Sequence, residues 1–176
     1  MKITIDPYDL TSISKAIKQI KEYQKLIKKR EKQLVEKLAM LGAYSATVYF
    51  SRALYAGTND VQVNVQLDGN TAHIIASGES VAFIEFGTGV KYGEGYLGKK
   101  PQGISGIGEY GHNRGKSSKG WFYPLENGLG TNGAIAHIKP NLAHTYGNSP
   151  NMAMYKSIID IQAQVEQVAR EVFNDR

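Results

Sequence analysis

Few side chains in this 176-residue chain have both the type and the spacing for chemistry. Gly106-Ile107-Gly108-Glu109-Tyr110-Gly111 satisfies the G-x-G-x-x-G pattern of dinucleotide sites. That pattern works only between a strand and a helix, where a pyrophosphate meets the helix N-terminus; here it lies within a glycine-rich run with no helical pattern behind it. Gly115-Lys116-Ser117 looks like the end of a phosphate-binding loop, but the position five before Gly115 is Tyr110, and Gly111 is one residue too close. Of the four histidines, His73, His112, His137 and His144, no pair has the i, i+4 spacing of a helical metal site. His137 and His144 read as members of one loop. Glu79 and Glu85 are the carboxylates nearest to a pair; Glu85 sits in an apolar run beside glycines, which suits a buried, hydrogen-bonded or inter-subunit carboxylate better than a general acid. Cysteine is absent, so thiolate nucleophiles, disulfides and zinc–thiolate sites are excluded together. With no nucleophile–base arrangement, the residues point to a protein that is not an enzyme and carries no cofactor or metal.

The elements that would position these residues follow from charge and period. Hydrophobic residues make up 41% and charged residues 21%, enough for one domain with a core over 1–176. No run reaches the roughly 18 apolar residues of a membrane span, and Met1–Pro7 lack the apolar stretch of a signal peptide; no membrane partner is expected. The net charge of +5 is concentrated. Residues 15–37 hold nine basic and three acidic side chains, a local +6 that leaves the rest of the chain at −1.

That basic segment belongs to a long helix over 7–56, started by Asp6-Pro7 and open to a kink near Gly42. Leu10, Ile13, Ile17, Ile20, Ile27, Leu34, Leu38, Leu41 and Val48 define its apolar stripe. At about 68 Å for 45 residues, it exceeds what a domain of this size needs. It is expected to break or to offer Leu10, Ile13, Ile17 and Ile20 to a partner. The lysines fit a solvated face, with phosphate contact as the alternative.

After Gly57 the period changes to two. Val61, Val63, Val65 and Leu67 alternate with polar residues, Asp68-Gly69-Asn70 signals a hairpin turn, and Thr71–Ala76 returns. Val81–Phe86 reads as a third strand and Trp121–Tyr123 as a fourth, so a small antiparallel sheet spans 61–124. Between them, 87–120 holds 11 of the 19 glycines and little periodicity, which predicts a mobile loop dotted with Lys99, Lys100, Arg114, Lys116 and Lys119. Ser149-Pro150 opens a C-terminal helix over 150–173, with a stripe of Ile158, Ile161, Val165, Val168 and Val172. The class is α+β, with a long N-terminal helix and a C-terminal helix packed on a small antiparallel sheet.

Three blocks in order carry a likeness. Val81–Gly89 ends in Glu85-Phe86-Gly87-Thr88-Gly89. Gly120-Trp121-Phe122-Tyr123-Pro124 is an aromatic strand. His144-Thr145-Tyr146-Gly147 leads through Asn148–Tyr155 into the last helix. Together they resemble the minor tail-component family of long, non-contractile-tailed bacteriophages, whose members are also called tail-completion, neck or head–tail joining proteins. The likeness runs over residues 8–173. Members often enter the last helix through Pro-Phe-Met or Pro-Phe-Leu, where this chain has Asn151-Met152-Ala153-Met154.

The resemblance implies a structural virion protein made in the host bacterial cytoplasm. It would assemble as a ring, commonly six-fold, between head connector and tail tube. Its partners would be itself, the head connector, tail tube or tail terminator proteins, and DNA in the lumen. The alternative from the residues alone is a nucleic-acid-binding accessory protein that uses the basic helix 15–37.

Overall fold

The computed structural model describes residues 3–99, 102–103, 106–107, 117–128, 130 and 137–174. Helix α1 (Leu10–Ser51) is followed by the strands β1 (Gln62–Asp68) and β2 (Thr71–Ser77), and then by the short helix α2 (Val81–Phe86). Strands β3 (Trp121–Pro124), β4 (His137–Lys139) and β5 (Leu142–Thr145) precede helix α3 (Ala153–Asn174). The fold is α+β, as the pattern of periods predicted.

Helix α1 starts three residues later than expected. Asp9 is its N-cap and accepts the Thr11 N–H at 2.8 Å. The Asp6 carboxylate instead accepts the Tyr8 N–H, which spends it on the preceding turn. The helix ends at Ser51 and passes through Gly42 without a break. Its 42 residues span about 63 Å.

Gly42 is buried where α1 crosses its neighbours. A β-carbon there would stand 2.6 Å from Ile74 Cδ1 and 2.9 Å from Ile161 Cγ1. The glycine expected to kink the helix therefore lets β2 and α3 approach it. Helix α3 runs antiparallel to α1: Asn151 Nδ2 donates to Tyr49 O at 2.8 Å, and the Arg30 guanidinium donates to Phe173 O at the far end.

β1 and β2 form a two-stranded sheet, with Asp68 opposite Thr71 and Gln62 opposite Ser77. Gly69, at φ 58, takes the first central position of the turn, a conformation glycine adopts without strain. The expected continuation of this sheet does not occur. Val81–Phe86 is helical, and β3, β5 and β4 form a separate three-stranded sheet with β5 central. A six-residue apolar run has too few positions to distinguish the two periods. What selects the helix is its N-terminus, where the Asp60 carboxylate accepts the N–H groups of Glu79 (2.7 Å) and Ser80 (3.0 Å) together with the Ser80 hydroxyl.

Phe50, Ala46, Ala53, Ile84 and Ala153 form the main core, with Val61, Val63 and Ala76 of the hairpin packed against it. A smaller cluster joins Ala56, Tyr123 and Ala143. The apolar anchor supplied by α2 is Ile84, with no exposed surface, while Phe86 is half-buried.

Candidate functional site

The first and third sequence blocks lock together through Glu85. Glu85 is 3% exposed. Its Oε2 accepts the Met154 N–H at 2.8 Å, and its Oε1 accepts the Tyr155 N–H at 3.2 Å and the Tyr96 hydroxyl at 3.0 Å. The carboxylate thus caps the first turn of α3, where unpaired amides and the helix dipole favour negative charge. This role, and not Ser149-Pro150, starts the helix, which begins at Ala153 after Met152 at φ 57. Burial first, and then the adjacent Glu85 charge, push the Tyr96 hydroxyl well above its ordinary pKa, so it remains a donor.

Behind Glu85 the backbone is laced to the third block. The Thr88 N–H donates to Asn148 O at 2.8 Å, the Asn148 N–H donates to Thr88 Oγ1 at 2.9 Å, and Thr88 Oγ1 donates to Asn148 Oδ1 at 2.8 Å. Asn151 N–H reaches Ile84 O at 2.9 Å. This approach requires glycine on both sides. A β-carbon at Gly87 (φ 84) would lie 2.7 Å from Asn148 O, and one at Gly147 (φ 80) would lie 2.6 Å from Thr88 O. Gly89 is also left-handed, at φ 61.

The described part of the following segment has local structure of its own. Gly89–Lys91 forms a 3-10 turn, and Tyr92 and Tyr96 pack edge-on to Phe86 with centroids at 6.4 and 4.9 Å. Residues 87–98 are thus tied to α2 and α3. Lys99 and Lys119 are exposed, whereas Lys100, Arg114 and Lys116 lie outside the described residues, as does most of the G-x-G-x-x-G segment. The histidines expected in a loop are on paired strands, His137 opposite His144. His144 is buried, with Nε2 3.0 Å from Lys119 O and its ring against Phe122 and Tyr146.

The aromatic block lines a cleft of about 440 Å³. Trp121 and Tyr123 meet Tyr55 there, with Asp60, Glu79 and Glu126 around them. Tyr123 donates its hydroxyl to Ala56 O. Burial pushes Tyr55 up to about 12, with the nearby Asp60 charge adding to it. Burial works to raise Asp60 as well, but the Ser80 hydroxyl and the amides of Ser80 and Glu79 outweigh it and hold the carboxyl below its ordinary value. Asp60 is therefore a weak base for the Ser80 hydroxyl it contacts, and general-base activation of that serine lacks a matched partner. Among the described residues, no group of three or more histidine, aspartate or glutamate side chains could hold a metal ion, and no helix is long and apolar enough to cross a membrane.

The remaining candidate surface is on α1. The end of α3 meets the helix at Arg30, so residues 10–29, about 30 Å of helix, extend past it. Leu10 is 80% exposed, Ile17 49% and Ile20 43%; Ile13 is half-buried. Tyr23 and Leu26 add exposed apolar surface. Lys15, Lys18, Lys21, Lys25, Lys28 and Lys29 are all exposed on the same stretch.

No protein-family model, no curated protein and no solved structure matches this chain.

Proposed function

We propose that this chain is a structural protein of a bacteriophage neck, a tail-completion or head–tail joining subunit that works as a ring between head connector and tail tube. The observation that carries the reading is the exposed apolar stripe Leu10, Ile17 and Ile20 on a stretch of α1 that extends beyond α3. Contiguous exposed apolar surface on a folded chain marks a protein-binding face, and a ring gives every subunit two neighbours to cover such surface. The interlocking of Glu85–Gly89 with Gly147–Tyr155 supports the family resemblance, because two short blocks distant in sequence are parts of one structural unit. A virion location and contacts with connector, tube or terminator proteins belong to the same proposal.

The test is assembly of the full chain at rising concentration, followed by light-scattering mass and negative-stain images. The wild-type chain is expected to form closed rings, and Ile17→Asp combined with Ile20→Asp is expected to stay monomeric with an unchanged circular dichroism spectrum. Rings of normal yield from the double variant would remove the stripe as an interface.

The exposure of six lysines against one acid, Glu22, over residues 10–29 favours one second reading, a nucleic-acid-binding accessory protein. Its signature is DNA affinity that falls steeply with salt and is lost in the triple variant Lys25→Gln, Lys28→Gln, Lys29→Gln. Under the neck reading, ring formation proceeds without DNA, and the triple variant folds as the wild type does, since exposed charges contribute little to stability.

A further inference from the structure

We infer that the β1–β2 hairpin is the joint between neighbouring copies of this chain, the open edge of β1 in one copy pairing with the open edge of β2 in the next. The inference rests on the ring reading and names the contact that would close the ring.

Among the described residues, β1 and β2 pair only with each other, so each strand has one edge without a ladder partner. The two-residue turn makes Asp68 and Thr71 a hydrogen-bonded pair, and the pairs alternate from there. The N–H and C=O groups of Val63, Val65 and Leu67 therefore point out from the β1 edge, and those of Ala72, Ile74 and Ala76 from the β2 edge. Each edge is seven residues long and presents three donors and three acceptors, so one junction can form as many as six backbone hydrogen bonds.

Proteins protect such edges with lysine, proline, bulges or covering elements. Here residues 61–77 contain no Lys, Arg, Glu or Pro, and the only full charge, Asp68, is at the turn. The register runs from Gln62–Ser77 to Asp68–Thr71 without a bulge. One face of the hairpin already lies on α1, where Ile74 reaches Gly42. The other face leaves Ile75 exposed, and on the α1 face Leu67, beside the turn, is exposed as well. A two-stranded sheet is also less stable than one extended by further strands.

The occupant is a second copy for two reasons. The two edges match in length and carry complementary groups, so head-to-tail pairing uses both in every subunit, and closure leaves none open. The hairpin is nearly uncharged, with Asp68 at the turn as its one full charge, so copies approach there without like-charge repulsion. A foreign strand, or a symmetric dimer, would use one edge and leave the other.

The experiment is residue-resolved amide hydrogen exchange on the full chain, dilute and then concentrated, with light-scattering mass recorded in parallel. On assembly, the amides of Val63, Val65, Leu67, Ala72, Ile74 and Ala76 are expected to slow by about tenfold or more. Those of Gln62, Asn64 and Gln66, already bonded within the hairpin, serve as the internal reference. Leu67→Pro removes an outward donor on an edge where proline is tolerated and is expected to leave a folded monomer that does not assemble. Ala72→Pro repeats the test on the other edge. A chain that stays monomeric up to its solubility limit overturns both the joint and the ring. An assembly whose outward amides exchange as in the monomer overturns the joint and leaves the ring standing. Protection of one edge alone, with a dimer mass, replaces the joint with a symmetric pairing and overturns it.

Discussion

Glu85 holds the backbone N–H of Met154 at 2.8 Å across 69 positions of sequence, and this single carboxylate ties the end of α2 to the start of α3. It also accepts Tyr155 N–H and the Tyr96 hydroxyl, so three donors would lose their acceptor on its removal. Replacing Glu85 by Ala is expected to cost about 3 kcal/mol, the sum expected when buried donors lose a charged acceptor. Glu85→Gln keeps one carbonyl oxygen and is expected to cost about half as much, and Tyr96→Phe about 1 kcal/mol. Urea unfolding monitored by circular dichroism measures all three. A Glu85→Ala loss below that of Tyr96→Phe would mean that the cap on α3 contributes little.

The glycine at the end of α2 is a separate test of the same latch. Gly87 has φ 84 and ψ 179, a region that only glycine populates without strain. A β-carbon there would also lie 2.7 Å from Asn148 O and 2.9 Å from the Pro150 ring. Both effects act against Gly87→Ala, for which a loss of about 2–4 kcal/mol is expected. Gly69, at φ 58 in the hairpin turn, has nothing within 4 Å of a β-carbon. Gly69→Ala therefore carries the backbone cost alone, about 1–2 kcal/mol. Equal losses at the two positions would show that the close approach to Asn148 adds nothing.

Asp60 gives the fold an acid-sensitive point. Its carboxyl is held below the ordinary value of 3.8, because the hydrogen bonds from Ser80 and Glu79 outweigh burial. A carboxyl with a depressed folded pKa contributes stability that is complete above its unfolded pKa and disappears as pH falls through the folded one. The contribution is therefore constant at neutral pH and is lost below about pH 4. Asp60→Asn is expected to be less stable than wild type at pH 7, with the difference narrowing toward pH 3. A difference that stays constant over that range would remove the charge on Asp60 as the source.

How much of this was legible in the sequence depended on length and on where each partner lay. Helix α1, the hairpin and α3 carry many repeats of one period, and each was readable. Val81–Phe86 was not, because six apolar residues fit either period and the deciding cap, Asp60, is about 20 residues earlier. Glu85 was readable as a buried carboxylate, but its partners Tyr96, Met154 and Tyr155 were not, since no local pattern joins them. Asn148 left no signal beyond the neighbouring Gly147. β4 and β5 are three and four residues long, too short for alternation to register.

Gly42 is where helix propensity and packing give opposite answers, and their magnitudes decide between them. If its role were to loosen α1, Gly42→Ala would stabilise the helix by about 0.8–1 kcal/mol. The structure instead puts Ile74 Cδ1 and Ile161 Cγ1 within 3 Å of the added methyl group. Both are ends of flexible side chains, but each belongs to an element packed on α1, so moving them means repacking β2 and α3 against the helix. Overpacking of this kind costs about 1–3 kcal/mol, which exceeds the propensity gain over most of its range. Gly42→Ala is therefore expected to destabilise the chain by about 1 kcal/mol, and Gly42→Val, bulkier and β-branched, by about 3 kcal/mol or more. Thermal and urea unfolding of the two variants provide the measurement. An alanine variant more stable than the wild type would mean that α1, β2 and α3 have room to spare at their crossing.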